Sequence, residues 1–290
     1  MSDSYSLSPL QLHRPDNYAK QALVHPQAPL IDSHIHLDQY EDDEIQQMMQ
    51  SLPDHQVKSV VAVSMNMDSC QRIQQLARRY PGFVHPAYGY HPEQPLPDDQ
   101  QTLKLLEWLG ARIGSAVAVG EIGLPYYRRQ ELAQHGEALD EDGYISLLEQ
   151  YLQLAARHDK PVVLHAVYED ADTVCQLLEQ YRIQRAHFHW FKGSEDTIKR
   201  MARRGYHISF TPDIVYEPEI RRLAALYPRE LVMAETDGPW PFEGPFAGQS
   251  THPRMTADVC RTWAEIQGLS EREARQILYT NTCAFYRINQ

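Results

Sequence analysis

The 290-residue chain has few cysteines, no long apolar run and no excess of positive charge. Its four cysteines, Cys70, Cys175, Cys260 and Cys283, are widely spaced and form no Cys-x-x-Cys pair, which argues against a disulfide framework and a zinc knuckle. No apolar run approaches the ~20 residues that a bilayer-spanning helix needs. The first residues, Met-Ser-Asp-Ser-Tyr-Ser, lack the basic and apolar stretches of a secretory signal. We therefore expect a cytoplasmic protein with no membrane segment.

The chain has 27 lysines and arginines and 39 aspartates and glutamates, so its formal net charge is -12. A protein that coats nucleic acid nonspecifically needs a cationic surface, so the charge argues against that class. It does not exclude an enzyme that holds phosphate through metal ions. The 42% hydrophobic and 23% charged residues are typical of an ordinary globular protein. No stable protein partner is predicted.

Short apolar runs of strand character alternate with segments of helical period from Pro29 onward. The predicted strands are Leu30–Leu37, Val57–Ser64, Phe83–Gly89, Ala116–Ile122, Pro161–His165, Arg185–Phe191, Tyr206–Phe210 and Leu231–Thr236. The predicted helices are Glu41–Leu52, Asp68–Tyr80, Thr102–Ile113, Asp142–His158, Ala171–Tyr181, Ser194–Arg204, Glu217–Leu226, Thr256–Gln267 and Ser270–Tyr279. Residues 1–28 show no sustained periodicity and are interpreted as an N-terminal extension.

Strict alternation of strands and helices implies a parallel sheet covered by helices. Eight repeats in about 260 residues predict an α/β fold, a closed (β/α)₈ TIM barrel forming a single domain over residues 29–290. An open doubly wound sheet is the alternative. It is disfavoured because no Gly-x-Gly-x-x-Gly or Walker-type loop follows the first strand.

The most informative stretch is residues 31–38, Ile-Asp-Ser-His-Ile-His-Leu-Asp. A strand puts residues two apart on the same face, so His34 and His36 project together from points roughly 6.6 Å apart. Both rings can then reach one metal ion at about 2.0–2.1 Å. The triplet is weak evidence alone, because His187 and His189 form a second one. Its place near the end of the first strand is what favours a ligand role.

Catalytic groups of a (β/α)₈ barrel gather at the C-terminal ends of its strands. Ligand-type residues fall there in this chain: His34, His36, Glu121, His165, His189 and Asp237. Four histidines and two carboxylates in one mouth predict a site for two divalent cations, with zinc, manganese, magnesium, iron and nickel as candidates. Each residue alone has a structural explanation, such as a hydrogen-bonded core histidine or a turn aspartate. Their common position favours the metal site.

Five motifs in order between Leu30 and Tyr286 resemble the signature of the TatD-like metal-dependent hydrolases, a branch of the amidohydrolase-like barrels. They are Asp-Ser-His-Ile-His-Leu, Gly-Glu-Ile-Gly-Leu at 120–124, His165 after Pro-Val-Val-Leu, His-Trp-Phe-Lys-Gly at 189–193 and Glu-Thr-Asp-Gly-Pro at 235–239. Gly-Tyr-His-Pro at 89–92 is similar to a lesser motif. Members of this family are often magnesium- or manganese-dependent DNases. The resemblance implies a two-metal hydrolase of phosphodiesters, acting on DNA ends or small nucleotides.

The resemblance also implies residue roles. His34 and His36 would bind one ion, His165 and His189 the other, and Glu121 would bridge them. Asp237 would bind the first ion beside the attacking water and accept its proton, so Asp237 and Glu121 are the predicted catalytic residues. His187 is left with a structural role. The predicted substrate-binding residues are His91, Lys192, Trp190 and Trp240, of which the tryptophans can stack on a base or sugar.

Three departures from the family pattern bear on the substrate. The usual His-x-Arg is His-Ala-Val at 165–167, the usual aspartate is Pro125, and the usual basic loop after the eighth strand is an apolar Trp-Pro-Phe segment. The cations left near the mouth are Lys192, Arg128 and Arg129. Because phosphate binding is weakened, a carboxylic ester, lactone or amide is the alternative substrate. A noncatalytic metal-binding or docking module is a third hypothesis.

Overall fold

The computed structural model describes residues 28–289. Eight parallel strands form one sheet in sequential order from β1 to β8. They are β1 Leu30–Ile35, β2 Val57–Val63, β3 Val84–Tyr88, β4 Ala118–Gly123, β5 Val162–His165, β6 Ala186–Phe188, β7 His207–Phe210 and β8 Val232–Ala234. The N-terminal extension predicted over residues 1–28 lies outside the described residues except for Ala28.

The last strand returns to the first. The Asp237 amide donates to the His34 carbonyl at 3.0 Å, and the His36 amide donates to the Gly238 carbonyl at 2.8 Å. These bonds join the ends of β1 and β8, which confirms the (β/α)₈ barrel. They also place both metal-type histidines of β1 directly beside the segment that follows β8.

Ten α-helices surround the strands within the described range. They are α1 Asp42–Ser51, α2 Met67–Arg79, α3 Asp99–Gly110, α4 Tyr126–Gln134, α5 Glu141–Arg157, α6 Asp170–Gln180, α7 Glu195–Arg204, α8 Pro218–Leu226, α9 Thr256–Gln267 and α10 Glu271–Tyr286. Nine occupy their predicted places, and α10 continues beyond its predicted end at Tyr279. Helix α4 was not predicted, because it buries none of its residues and therefore carries no apolar stripe. None of these helices is both long enough and apolar enough to cross a bilayer.

The barrel interior is filled by apolar side chains of six strands, most of them small or β-branched, and α10 packs against them. The strand members are Ile31, Val61, Val63, Ala87, Ala118, Val163 and Met233. Tyr286 of α10 reaches inward, and its hydroxyl donates to the Ser33 carbonyl at 3.2 Å. The interior is therefore a packed core below the mouth.

Candidate metal centre

The six predicted ligands lie together at the C-terminal end of the barrel. Each is at most 9% exposed, although all six carry polar or charged groups. Strand register explains the proximity of two of them, because Gly123 of β4 pairs with His165 of β5 and Glu121 lies two residues before Gly123. Gly123 has φ +155°, and an added Cβ would overlap the His165 carbonyl oxygen. Only glycine lets β4 and β5 approach this closely.

The first donor group combines the end of β1 with the segment after β8. His34 Nε2 lies 3.2 Å from Glu121 Oε2 and 3.3 Å from Asp237 Oδ1. His36 Nε2 lies 3.3 Å and 3.5 Å from the same two oxygens. A tetrahedral ion bound at about 2.0–2.1 Å separates its donors by about 3.3–3.4 Å. The observed distances match the donor shell of one divalent cation.

Several of these donor atoms have no hydrogen-bond partner among residues 28–289. They include His34 Nε2, Glu121 Oε2 and Asp237 Oδ1, all buried. A buried polar atom without a partner costs about 1–3 kcal/mol, and more for a charged group. A cation contacting all of them removes that cost, so the donor set fits a divalent metal ion.

A second donor group faces the other oxygen of the same carboxylate. Glu121 Oε1 lies 2.7 Å from His189 Nε2, 3.1 Å from His165 Nδ1 and 3.3 Å from His91 Nε2. The two ring nitrogens of His189 and His165 are 3.4 Å apart. Glu121 therefore lies between two clusters of donors, with one oxygen directed at each. The ligand set implied by the family resemblance does not include His91. Its ring, in the loop after β3, nevertheless lies beside this second group.

The carboxylates of the site remain ionised despite burial. Burial raises the pKa of Glu121, but the nearby rings of His189, His91 and His34 outweigh it and hold that pKa well below its ordinary value. Asp237 behaves alike: burial raises its pKa, while His34 and His189 bring it below the usual range. Burial lowers the pKa of His34, yet Glu121 and Asp237 raise it to about 9. The negative potential that attracts protons here equally attracts a metal cation.

Glu235 supports the second group from behind and was missed by the sequence analysis. Its Oε1 accepts the Trp190 amide at 2.8 Å and lies 3.6 Å from His189 Nδ1. Its Oε2 accepts the Ser209 hydroxyl at 2.6 Å, and Ser209 in turn contacts His187 Nε2 at 2.6 Å. The Glu-Thr-Asp motif contained the signal, but only the eighth-strand geometry shows that Glu235 faces inward. His187 lies in this buried chain rather than among the donors.

A cavity of about 890 Å³ opens above the donors. Its walls include the predicted substrate residues His91, Lys192, Trp190 and Trp240. Trp240 is 55% exposed, and its ring centroid lies 5.7 Å from that of Trp190. The Lys192 ammonium lies 5.0 Å from the centre of the Trp190 ring.

Helix α4 contributes the remaining cation of the cavity wall. Tyr127, Arg128 and Glu131 line the cavity. Arg129, which the sequence analysis placed near the mouth, pairs instead with Asp170 at 2.6 Å and is not among the lining residues. Arg128 and Lys192 are therefore the two cationic side chains that line the described cavity.

Replacing His91 with alanine should cost less bound metal than replacing His34 with alanine. Without His91 the second group keeps three donors, from Glu121, His165 and His189, whereas His34→Ala removes a donor close to both Glu121 and Asp237. Metal content after reconstitution, measured by elemental analysis, should fall by about one equivalent in His34→Ala and by much less in His91→Ala. Equal losses in the two variants would make His91 a ligand in its own right.

The chain is similar to proteins of one family. The family described as TatD related DNase matches residues 31–287. An uncharacterized metal-dependent hydrolase of Haemophilus influenzae is 36% identical over 259 residues, covering 89% of this chain and 100% of that protein. Human deoxyribonuclease TATDN3 is 27% identical over 89% of this chain and 94% of its own. The crystal structure of YjjV, a TatD homologue from Escherichia coli K12, has a TM-score of 0.79 and 26% identity, covering 90% of this chain and 99% of YjjV.

Proposed function

Since the chain belongs to the TatD-related DNase family of metal-dependent hydrolases, we propose that it hydrolyses phosphodiester bonds of DNA with two divalent metal ions. The observation that carries the proposal is the shared carboxylate of Glu121, whose two oxygens face two separate donor groups. His34, His36 and Asp237 would hold one ion with Glu121, and His165 and His189 would hold the other. Zinc, manganese, magnesium, iron and nickel all remain candidates, although imidazole donors favour the transition metals over magnesium.

Two ions held by these residues would make a bound water more acidic and would stabilise the charge on the leaving oxygen. Proton transfer and substrate binding depend on side chains of this protein. Asp237 lines the cavity and stays ionised, so it can accept a proton from the attacking water. Lys192 and Arg128 line the cavity and can pair with the phosphate group. Trp190 and Trp240 line the cavity, where a base can stack on an indole ring.

The cavity favours short or terminal pieces of DNA over long duplexes. The net charge is -12, and Lys192 and Arg128 are the cationic side chains on the described cavity wall. An extended phosphate backbone would therefore bind weakly. We therefore propose DNA ends and small nucleotides as substrates. The cytoplasmic location expected from the sequence remains part of this proposal.

A carboxylic ester, lactone or amide is the second candidate substrate. The observation that favours it is the rim formed by Pro239, Trp240 and Pro241, which is apolar where a nuclease would benefit from cations. Both candidates use the same donors and the same proton acceptor. Only turnover of defined substrates separates them.

The deciding experiment strips the protein of metal, reloads it with Mn²⁺, Mg²⁺, Zn²⁺, Fe²⁺ or Ni²⁺ in turn, and offers single-stranded DNA, a model phosphodiester and a panel of esters and lactones. Phosphodiester hydrolysis should return only in the loaded protein. Arg128→Ala and Lys192→Ala should each raise KM about tenfold with little change in kcat, since a hydrogen bond to a charged group contributes about 1.5 kcal/mol.

Arg129→Ala is the matched control for this panel. Arg129 lies on the same helix as Arg128 but pairs with Asp170 outside the cavity, so its loss should leave KM unchanged. Turnover of esters or lactones without phosphodiester cleavage would replace the first candidate with the second. Binding of metal without turnover on either panel would reject both.

A further inference from the structure

Glu93, in the loop after β3, caps a helix to which it is not adjacent in sequence. The amides of Tyr127 and Arg128, in the first turn of α4, donate to the two carboxylate oxygens of Glu93 at 2.9 Å and 2.6 Å. The residue at the N-cap position of α4, Pro125, provides no side-chain cap. Glu93 thus satisfies two helix-terminal N–H groups and places its negative charge at the positive end of the helix.

The same carboxylate contacts His165. Glu93 Oε1 lies 3.1 Å from His165 Nε2, while His165 Nδ1 lies 3.1 Å from Glu121 Oε1. Each oxygen of Glu93 also accepts an amide of α4, so the carboxylate acts as an acceptor toward the ring and Nε2 supplies the hydrogen. Nδ1 faces the second donor group, and a cation held there would replace the hydrogen that this nitrogen shares with Glu121.

Glu93 gives His165 an orienting contact that the other three predicted histidine ligands lack. Its carboxylate lies 3.1 Å from His165 Nε2. The Nδ1 atoms of His34, His36 and His189 have no hydrogen-bond partner within residues 28–289, and Glu235 Oε1 lies 3.6 Å from His189 Nδ1. A carboxylate behind a metal-binding imidazole fixes its tautomer and raises its basicity. Of the four rings, His165 is therefore the one that a carboxylate orients through a hydrogen bond.

We propose that Glu93 is a positioning residue for the second cation, holding His165 with Nδ1 toward the metal and coupling that site to helix α4. The inference rests on the proposed function, because it concerns one of the two cation sites named there. The coupling matters because α4 also places Tyr127 and Arg128 on the cavity wall. A single carboxylate thus orients a metal donor and anchors part of the substrate wall.

In the first test, the metal-free protein is titrated with Zn²⁺ alone, and the heat of binding is measured by calorimetry. Glu93→Gln should weaken one equivalent by about 10- to 100-fold and leave the other unchanged, as is typical when a residue behind a ligand is lost. In a His165→Ala background, which lacks the second site, adding Glu93→Gln should have no further effect on the remaining equivalent. Equal binding of both equivalents by Glu93→Gln and the unaltered protein would overturn the proposal.

Asp98→Asn is the matched control for helix capping. Asp98 accepts the Gln101 amide at 2.8 Å at the start of α3 and, within residues 28–289, forms no hydrogen bond or ion pair with a predicted metal ligand. Its replacement removes a capping carboxylate of similar kind but should alter neither equivalent. If Asp98→Asn weakened zinc binding as much as Glu93→Gln, general destabilisation would explain both results, and the positioning role would be rejected.

The second test reads the tautomer and needs no variant of Glu93. Long-range ¹H–¹⁵N spectra of histidine-labelled, zinc-loaded protein, with His165 assigned by its absence in His165→Gln, should show the proton on Nε2 and the coordinated lone pair on Nδ1. A proton on Nδ1 of His165 would overturn the proposal even if Glu93→Gln folded poorly.

The zinc titration distinguishes failure of the proposed two-metal function from failure of the role of Glu93. An unaltered protein that binds no zinc rejects both the two-metal function and the role of Glu93. A protein that binds two equivalents but shows no effect of Glu93→Gln rejects the role of Glu93 alone. Neither zinc binding nor the His165 tautomer depends on turnover, so an inactive preparation still tests the role of Glu93.

Discussion

Asp237→Asn should retain most of the bound metal and lose nearly all turnover, with kcat reduced about 10²–10⁴-fold. Asparagine keeps an oxygen that can face His34 and His36, so the first donor group still has four members. It cannot accept a proton from water, because a neutral amide is a very weak base. The comparison requires metal content and kcat of the same preparation at saturating metal.

Asp170→Asn serves as the control for this variant. Asp170 is also a buried carboxylate after a barrel strand, but it pairs with Arg129 and, within residues 28–289, forms no ion pair or hydrogen bond with the six ligand-type residues. Its replacement should leave kcat within about tenfold. Near-normal turnover in Asp237→Asn would show that another group accepts the proton, with Glu121 as the next candidate.

The barrel and the six ligand-type residues could be predicted because both follow from local periodicity. A period of two puts His34 and His36 on one face, and the parallel arrangement brings the ends of all eight strands to one mouth. Strand-end positions alone were sufficient for Glu121, His165 and Asp237, whereas the choice of His189 over His187 also rested on the family resemblance. Local sequence was sufficient wherever a residue's place depends on its own strand.

The remaining features depend on contacts between segments distant in sequence. Helix α4 has no apolar stripe, and its cap is Glu93, more than thirty residues earlier. His91 looked like a substrate residue because the ligand positions were already filled, yet its ring lies 3.3 Å from Glu121 Oε1. Neither the capping contact nor the reach of a loop histidine is visible in hydrophobic periodicity.

Replacing Glu121 should remove both metal ions, because its two oxygens belong to two different donor groups. Oε2 lies 3.2 Å and 3.3 Å from the Nε2 atoms of His34 and His36, and Oε1 lies 2.7 Å from His189 Nε2. In Glu121→Gln, the amide NH₂ must face one group and repel a cation there, while the other group keeps only a neutral oxygen. Both equivalents should weaken by more than about 100-fold, as measured by zinc titration.

Single histidine variants are the controls, because each removes a ligand that belongs to one donor group and does not bridge the two ions. His36→Ala and His189→Ala each remove a donor from one group, so each should lose one equivalent and keep the other. Circular dichroism of all three variants checks that the barrel is intact. If Glu121→Gln also loses one equivalent and keeps the other, the carboxylate serves one ion, and the distance of its second oxygen from the other group reflects hydrogen bonding alone. If it loses neither, Glu121 is a ligand of neither ion, the bridging arrangement is wrong, and the histidines and Asp237 would have to hold both ions without it.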